Sequence, residues 1–310
     1  MSSLRRVSPL QHASRLLSRG WHIGYTMARR GLLVPGRPDR VARQLSTLAQ
    51  WGLSLAGGFG SAARRSPDAA AVIDEDGSLS FAELDERTDR LARALREFHP
   101  GAVPRIGLLC RNHRGMVETL VACAKTGSDV VLINTGMSAA QIRQALSDND
   151  IDIFVADAEF LPLPSTPESV RTITADRSGA GSLSGLIESA TPGAHRPPSG
   201  TGRTIVLTSG TTGAPKGARR PAPALHSLTA LLSRIPLKVG DRIHIAAPLF
   251  HTWGYAALQL AMAMRGTVVL RRRFEPEALL RGLAADGTAV VFAVPVMLQR
   301  LLELPESVRR

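Results

Sequence analysis

The densest chemistry in the chain lies in Thr204-Ile-Val-Leu-Thr208-Ser209-Gly210-Thr211-Thr212-Gly213-Ala214-Pro215-Lys216-Gly217. A β-branched apolar run leads into a loop of three glycines, four hydroxyl side chains and one lysine. Glycines let the backbone reach positive φ and approach a ligand closely. Successive N–H groups in such a loop can form an anion-binding nest. Hydroxyls add donors for phosphate oxygens or ligands for Mg²⁺, and Lys216 adds a point charge. The chemistry implied is the holding of a polyphosphate. The Walker pattern is excluded. It needs Gly, four residues, then Gly-Lys-Ser/Thr, whereas here Pro215 occupies the second glycine position and Gly217 follows Lys216. Composition alone would also suit a glycine-rich surface hairpin. The order of residues, directly after an apolar strand, favours the anion site.

Other candidates are weaker. His251 follows a strand, where a lone histidine is more often a hydrogen-bonded structural residue. His113, His226 and His244 show no partner pattern. Cys110 and Cys123 fall on apolar elements and read as inert. Two cysteines exclude a disulfide scaffold and a Cys-rich zinc module, and fit a reducing cytoplasm.

The elements that must position the loop alternate regularly. Ala70 to Ile73 is a short apolar run, and Asp74-Glu75-Asp76-Gly77 is a hairpin-type turn. Ser80 with Glu83 forms a capping box before a helix with Leu84, Leu91 and Leu95 on one face. Strands follow at Ile106 to Cys110, Val130 to Ile133 and Ile151 to Val155. Between them run a helix from Gly115 to Lys125, stopped near Gly127, and one capped by Ser138 with Gln141. After the loop come helices at Ala222 to Ile235, Ala256 to Met264, Pro276 to Ala285 and Pro295 to about Leu304. Strands at Ile243 to Ala247, Thr267 to Leu270 and Ala289 to Val294 separate them. Such alternation indicates an α/β fold of βαβ units with mostly parallel sheets. The pattern divides the chain into a basic N-terminal extension with helices (1–65), a first α/β subdomain (66–185), a Ser/Gly/Pro-rich linker (186–202) and a second α/β subdomain carrying the loop (203–310). Gly57, Gly58 and Gly60 are expected to break the helix that precedes Ser66-Pro67-Asp68.

The net charge of +12 in 310 residues is uneven. Residues 1–50 hold nine arginines and one acid, Asp39, and supply two thirds of it. The remainder is ordinary, so overall basicity does not argue for nucleic-acid binding. The first 38 residues are Arg-rich and acid-poor like a transit peptide, without the apolar stretch of a secretory signal. They read as a solvated extension, with weak contact to an anionic membrane surface as the alternative. The apolar run from Gly254 to Met264 is about half a membrane span. The expected location is therefore cytoplasmic, with membrane association confined to the basic N-terminus.

Ser209 to Gly217 resembles the phosphate loop of the adenylate-forming superfamily of acyl-CoA synthetases, peptide-synthetase adenylation domains and luciferases. Leu79-Ser-Phe-Ala-Glu-Leu84 is similar to that superfamily's early L-T-Y-x-E-L motif. Gly107 to Ile133 resembles the strand-helix-strand that follows it, Asn134 matching the asparagine after it. Pro248-Leu-Phe-His251 resembles the P-x-F-H motif. The resemblance spans about residues 66–305 and looks nearest to fatty-acyl-CoA synthetases of actinobacterial type. It implies that Thr208, Ser209, Thr211, Thr212 and Lys216 contact the β- and γ-phosphates of ATP. Gly210, Gly213 and Gly217 would shape the loop, and Thr212 would be the Mg²⁺ ligand. It implies further that His251 sits at the junction of the ATP and acyl sites as the candidate catalytic residue. Trp253, Gly254 and Tyr255 would begin the acyl-pocket wall. ATP, Mg²⁺ and CoA are the implied cofactors and a fatty acid the implied substrate.

The resemblance also implies later segments, Y-G-x-T-E for adenine and metal and T-G-D for ribose, which residues 251–310 do not contain. The resemblance also implies a small C-terminal domain with a catalytic lysine, which is expected to lie outside these residues. The chain corresponds to an incomplete N-terminal domain, expected to have little or no ligase activity alone and to expose apolar strand edges. A complementing downstream chain, or a non-catalytic remnant that binds nucleotide or a partner, are the readings this leaves open. Acyl-AMP and aryl-acid ligases are the alternatives within the superfamily.

Overall fold

The computed structural model describes residues 21, 23–99, 101–163, 166–191, 193, 195–208, 216–219 and 225–309, with side chains of 208, 216–219 and 225–229 outside that description. Residues 23–29 are helical. Helices α1 (Pro38–Trp51) and α2 (Leu55–Arg65) follow. The strands are β1 (Ala70–Asp74), β2 (Gly77–Ser80), β3 (Ile106–Leu109), β4 (Val130–Leu132), β5 (Ile153–Ala156) and β6 (Arg171–Thr174). They continue with β7 (Thr204–Thr208), β8 (Lys216–Arg219), β9 (Arg242–Ile245), β10 (Thr267–Val269) and β11 (Val290–Phe292). The intervening helices are α3 (Phe81–Glu97), α4 (Arg114–Thr126), α5 (Ala139–Asp148), α6 (Leu183–Ser189), α7 (Leu225–Arg234) and α8 (Thr252–Ala263). Helices α9 (Pro276–Ala285), α10 (Pro295–Leu302) and α11 (Glu306–Arg309) complete the order.

Two sheets result. One has the order β11-β9-β10-β1-β2 and the other β6-β5-β3-β4-β7-β8. All pairings are parallel except the hairpins β1–β2 and β7–β8. The pairings cross residues 186–202 in both directions. β1 is drawn from the first segment into the sheet of β9–β11, with Val72 opposite Val268. β7 joins the other sheet, with Val131 opposite Ile205. Strand β3 is buried on both faces: Ile106 and Leu108 enter a core continuous with β1, β9 and β10, and Leu109 enters a second core under α5. Burial on both faces is why these strands read as unbroken apolar runs.

Local signals set the helix starts. Ser80 and Glu83 form the expected capping box at α3, and Ser138 and Gln141 form another at α5. Gly127 ends α4 at φ 79°. The glycines at 57, 58 and 60 differ from expectation: they lie inside α2. A Cβ on Gly58 would stand 2.2 Å from Met262 Sδ, so the bare backbone is what lets α2 press against α8. The packing gain overrides the helix penalty of glycine. Among the described residues no helix is long and apolar enough to cross a membrane.

Candidate functional site

Strand β7 runs parallel to β4, so its Thr208 end lies at the carboxyl edge of the six-stranded sheet. Strand β8 returns antiparallel, with Thr208 opposite Lys216 and Leu207 opposite Gly217. The candidate loop is thus the connection of a hairpin whose two ends are held in register. Ser209, Gly210, Thr211, Thr212 and Gly213 lie outside the described residues, as do the side chains of Thr208 and Lys216. β8 stops at Arg219, before Pro221, which could not donate to the ladder. The carboxyl edge of a parallel sheet is where α/β folds place ligands.

The second candidate segment leaves the carboxyl end of β9. Its backbone is bound by Asn112, which follows β3 in the other sheet. Asn112 is 5% exposed. Its Nδ2 donates to the carbonyls of Ile245 and Ala247, each at 3.0 Å. Its Oδ1 accepts the Leu249 N–H at 2.8 Å. One amide therefore joins the carboxyl edges of both sheets and fixes the turn that presents His251. The Asp74 carboxylate makes a parallel tie from β1, accepting the Arg114 N–H at 2.8 Å and pairing with the Arg114 guanidinium. Sequence reasoning passed over Asn112; its one signal was a polar residue soon after a fully apolar strand.

His251 is exposed and precedes α8 as its N-cap residue, without a side-chain capping bond. Its N–H donates to the Pro248 carbonyl at 3.0 Å, and its carbonyl accepts the Tyr255 N–H at 2.9 Å. The ring packs on Phe250, centroids 4.6 Å apart, and loss of water holds its pKa below the ordinary histidine value. An imidazole kept neutral can accept or donate one hydrogen bond to a polar ligand.

Helix α8 begins at Thr252 rather than at Ala256, which changes the reading of the next three residues. On a helix they fan out about 100° apart. Trp253 is exposed; its Nε1–H donates to the Ala293 carbonyl at 3.1 Å and its ring lies 5.3 Å from that of Phe292. Gly254 faces inward, where a Cβ would stand 2.2 Å from the Pro248 carbonyl oxygen. Tyr255 is buried, and its hydroxyl bonds Thr204 Oγ1 at 2.9 Å. Thr204 is at the amino end of β7, the far end from the loop. There Tyr255 lines a cavity of about 240 Å³ with Leu55, Leu120 and Gln259. Burial pushes the Tyr255 phenol up. These three residues do not form one wall.

Because the atoms facing Gly254 are backbone and cannot move aside, Gly254→Ala is expected to destabilise the protein by about 1–3 kcal/mol. At Gly60, inside α2, the nearest atom to a new Cβ is 3.4 Å away. Gly60→Ala is expected to stabilise by up to about 1 kcal/mol. A urea midpoint for Gly254→Ala at or above that of the wild type would refute this account of Gly254.

Among the described residues, Cys110, His113 and Asp157 bring three possible metal-ligand atoms within 4.8 Å of one another. Their hydrogen bonds are already committed. His113 Nδ1 accepts the Gly115 N–H at 3.1 Å, which leaves Nε2–H to donate to Asp157 at 2.7 Å. Burial keeps the Cys110 thiol protonated. Thiol and imidazole are also poor partners for Mg²⁺, which takes oxygen ligands. His113 is the N-cap residue of α4, and the cluster is structural. Lys125 is likewise structural: it is buried, and its ammonium donates to Asp85 and Asp89 carboxylates at 2.8 and 2.7 Å.

Residues 59–309 match the AMP-binding enzyme family. The chain is 32% identical over 251 residues to a feruloyl-CoA synthase of Amycolatopsis sp, covering 78% of this chain and 49% of that protein. It is 31% identical over 253 residues to a 2-succinylbenzoate–CoA ligase of Bacillus subtilis strain 168, covering 80% and 51%. It superposes on the O-succinylbenzoate CoA synthetase MenE of Bacillus subtilis, in complex with AMP, with a TM-score of 0.66 at 28% identity, covering 81% and 65%. It shares the fold of the N-terminal domain of FACL13 from Mycobacterium tuberculosis, with a TM-score of 0.72 at 23% identity, covering 82% and 66%. The chain spans about half the length of the curated relatives it matches. With a match across residues 59–309, the chain belongs to the adenylate-forming, AMP-binding enzyme family.

Proposed function

We propose that this chain supplies the N-terminal, phosphate-holding part of an ATP-dependent acyl- or aryl-CoA ligase. In the reaction a carboxylate oxygen attacks the α-phosphorus of ATP and pyrophosphate leaves. The CoA thiol then attacks the carbonyl of the acyl-adenylate and AMP leaves. Joining two anions requires neutralising the phosphoryl charge and aligning the carboxylate. The observation that carries the reading is the hairpin register of Thr208 with Lys216 at the carboxyl edge. It anchors both ends of a hydroxyl- and glycine-rich loop at that edge. In this reading the loop amides and hydroxyls, with Lys216, hold the β- and γ-phosphates, Thr212 would hold a Mg²⁺ able to shield their charge, and His251 meets the acid at the junction. A fatty acid is the proposed substrate class, since the sequence resembles fatty-acyl-CoA synthetases. The feruloyl and succinylbenzoate relatives make an aryl acid the competing choice.

Titration calorimetry with ATP–Mg²⁺ tests the reading. The wild-type chain is expected to bind, and Lys216→Ala to bind at least about tenfold more weakly, since a charged hydrogen bond contributes about 1.5–3 kcal/mol. Equal affinity of the two proteins would remove the phosphate-loop assignment.

A further inference from the structure

A cavity of about 340 Å³ opens at the carboxyl ends of β1, β9 and β10, beside the start of α9. Part of its wall is apolar, from Ala246, Phe274 and Leu279. His244 of β9 also lines it. That imidazole is 2% exposed, and its Nδ1 has no hydrogen-bond partner. Buried polar atoms are nearly always paired, so an imidazole in a cavity wall with an unpaired nitrogen marks a place for a ligand atom. The rim carries Arg271, Arg272 and Arg273. Arg271 pairs with Asp286 at 3.1 Å and Arg272 with Asp176 at 3.1 Å. Arg273 reaches Glu159 at 3.4 Å, with two thirds of its side chain in solvent. Two acids share the wall. Glu75 accepts the Arg272 N–H at 2.9 Å, and Glu275 is the N-cap residue of α9 without a capping bond. Pro276 brings no N–H, and the Leu279 N–H makes the first bond of the helical ladder, to Glu275. The Glu277 and Ala278 amides therefore stand ahead of the ladder, and Ala278 lines the cavity.

Helix-start amides beside a guanidinium suit a phosphate group. The apolar wall suits a carbon skeleton, and the imidazole of the wall suits a hydroxyl. We propose that this cavity is a binding site for a hydroxylated phosphate monoester of sugar-phosphate size. The phosphate rests on Arg273 and the start of α9, and a hydroxyl reaches His244. The assignment is independent of the phosphate loop, and it needs no triphosphate.

Ribose 5-phosphate is the probe, titrated into the full chain by calorimetry. Saturable binding is expected, weakened about tenfold or more by Arg273→Ala, whose side chain is exposed, and by His244→Leu. Thermal unfolding of each variant confirms that it is folded. Inorganic phosphate is expected to bind more weakly, because it offers no skeleton and no distant hydroxyl. The proposal is overturned by no saturable binding at about 10 mM probe. It is also overturned by wild-type affinity in both folded variants, or by equal affinity for inorganic phosphate. Because ribose 5-phosphate lacks a triphosphate tail, either outcome leaves the ATP titration to be judged on its own.

Discussion

Asn112→Ala is expected to lower the unfolding free energy by about 3–5 kcal/mol and to loosen the turn carrying His251. Truncation leaves the Ile245 and Ala247 carbonyls and the Leu249 amide without their partner. Each such buried group costs about 1–3 kcal/mol when unsatisfied, and the three share one site, so the sum is incomplete. The effect exceeds an ordinary polar deletion because the amide spans two sheets. Asn112→Asp separates the contributions: the carboxylate can still accept the Leu249 N–H but cannot donate to the two carbonyls. It should fall at or below the alanine variant, since it sets a negative charge against two carbonyl oxygens. Urea denaturation of both proteins checks this, and a loss under about 1 kcal/mol for Asn112→Ala would mean that the sheets are held elsewhere.

The second large effect is on acid stability. Burial, with the nearby positive charge of Arg271 and despite Asp286, lowers the His244 pKa to about 4. In the unfolded chain the ordinary value applies, about 6.5. Above pH 6.5 the residue is neutral in both states and contributes nothing to the pH dependence. Between pH 6.5 and 4 the unfolded chain takes up a proton that the folded protein resists, so stability falls as pH drops. The loss levels off below pH 4, at about 3 kcal/mol. His195 is shifted in the same direction by burial, and the partly hydrated His251 by partial loss of water. The diagnostic is therefore the difference between wild type and His244→Leu, not the absolute slope. The leucine variant should lose about 3 kcal/mol less across that window. Parallel stability curves for the two proteins would show that His244 can protonate in place.

What the sequence shows and what it hides follow from the range of the interactions. The Asp74–Gly77 turn, the capping boxes at Ser80 and Ser138, and the stop at Gly127 are each decided within a few residues, and each is visible in the one-dimensional pattern. Gly58 misleads because its reason, Met262, lies about two hundred residues away. Strand β6 escapes notice because Ile173 is its one buried residue among polar neighbours. The start of α8 is missed because no Ser, Thr, Asn or Asp stands at His251 to announce it. His244 and Asn112 look unremarkable for the same reason as each other. A polar side chain reveals its task when the distant carbonyl, or the lack of one, is known. The candidate loop stands out in the sequence because its glycines, hydroxyls and lysine are packed into nearly consecutive residues.

The partnership of β1 with β10 sets a timetable for biosynthesis. Val72 must wait for Val268, and ribosomes add roughly 5–20 residues per second. For about 10–40 s, then, the β1–β2 hairpin emerges with one flank unsatisfied while the strands that will sit beside it are still being translated. Strands β3–β8 can assemble meanwhile, so the nascent chain passes through a stage in which one layer is complete and the other is a waiting edge. A holding chaperone would find its target in that interval.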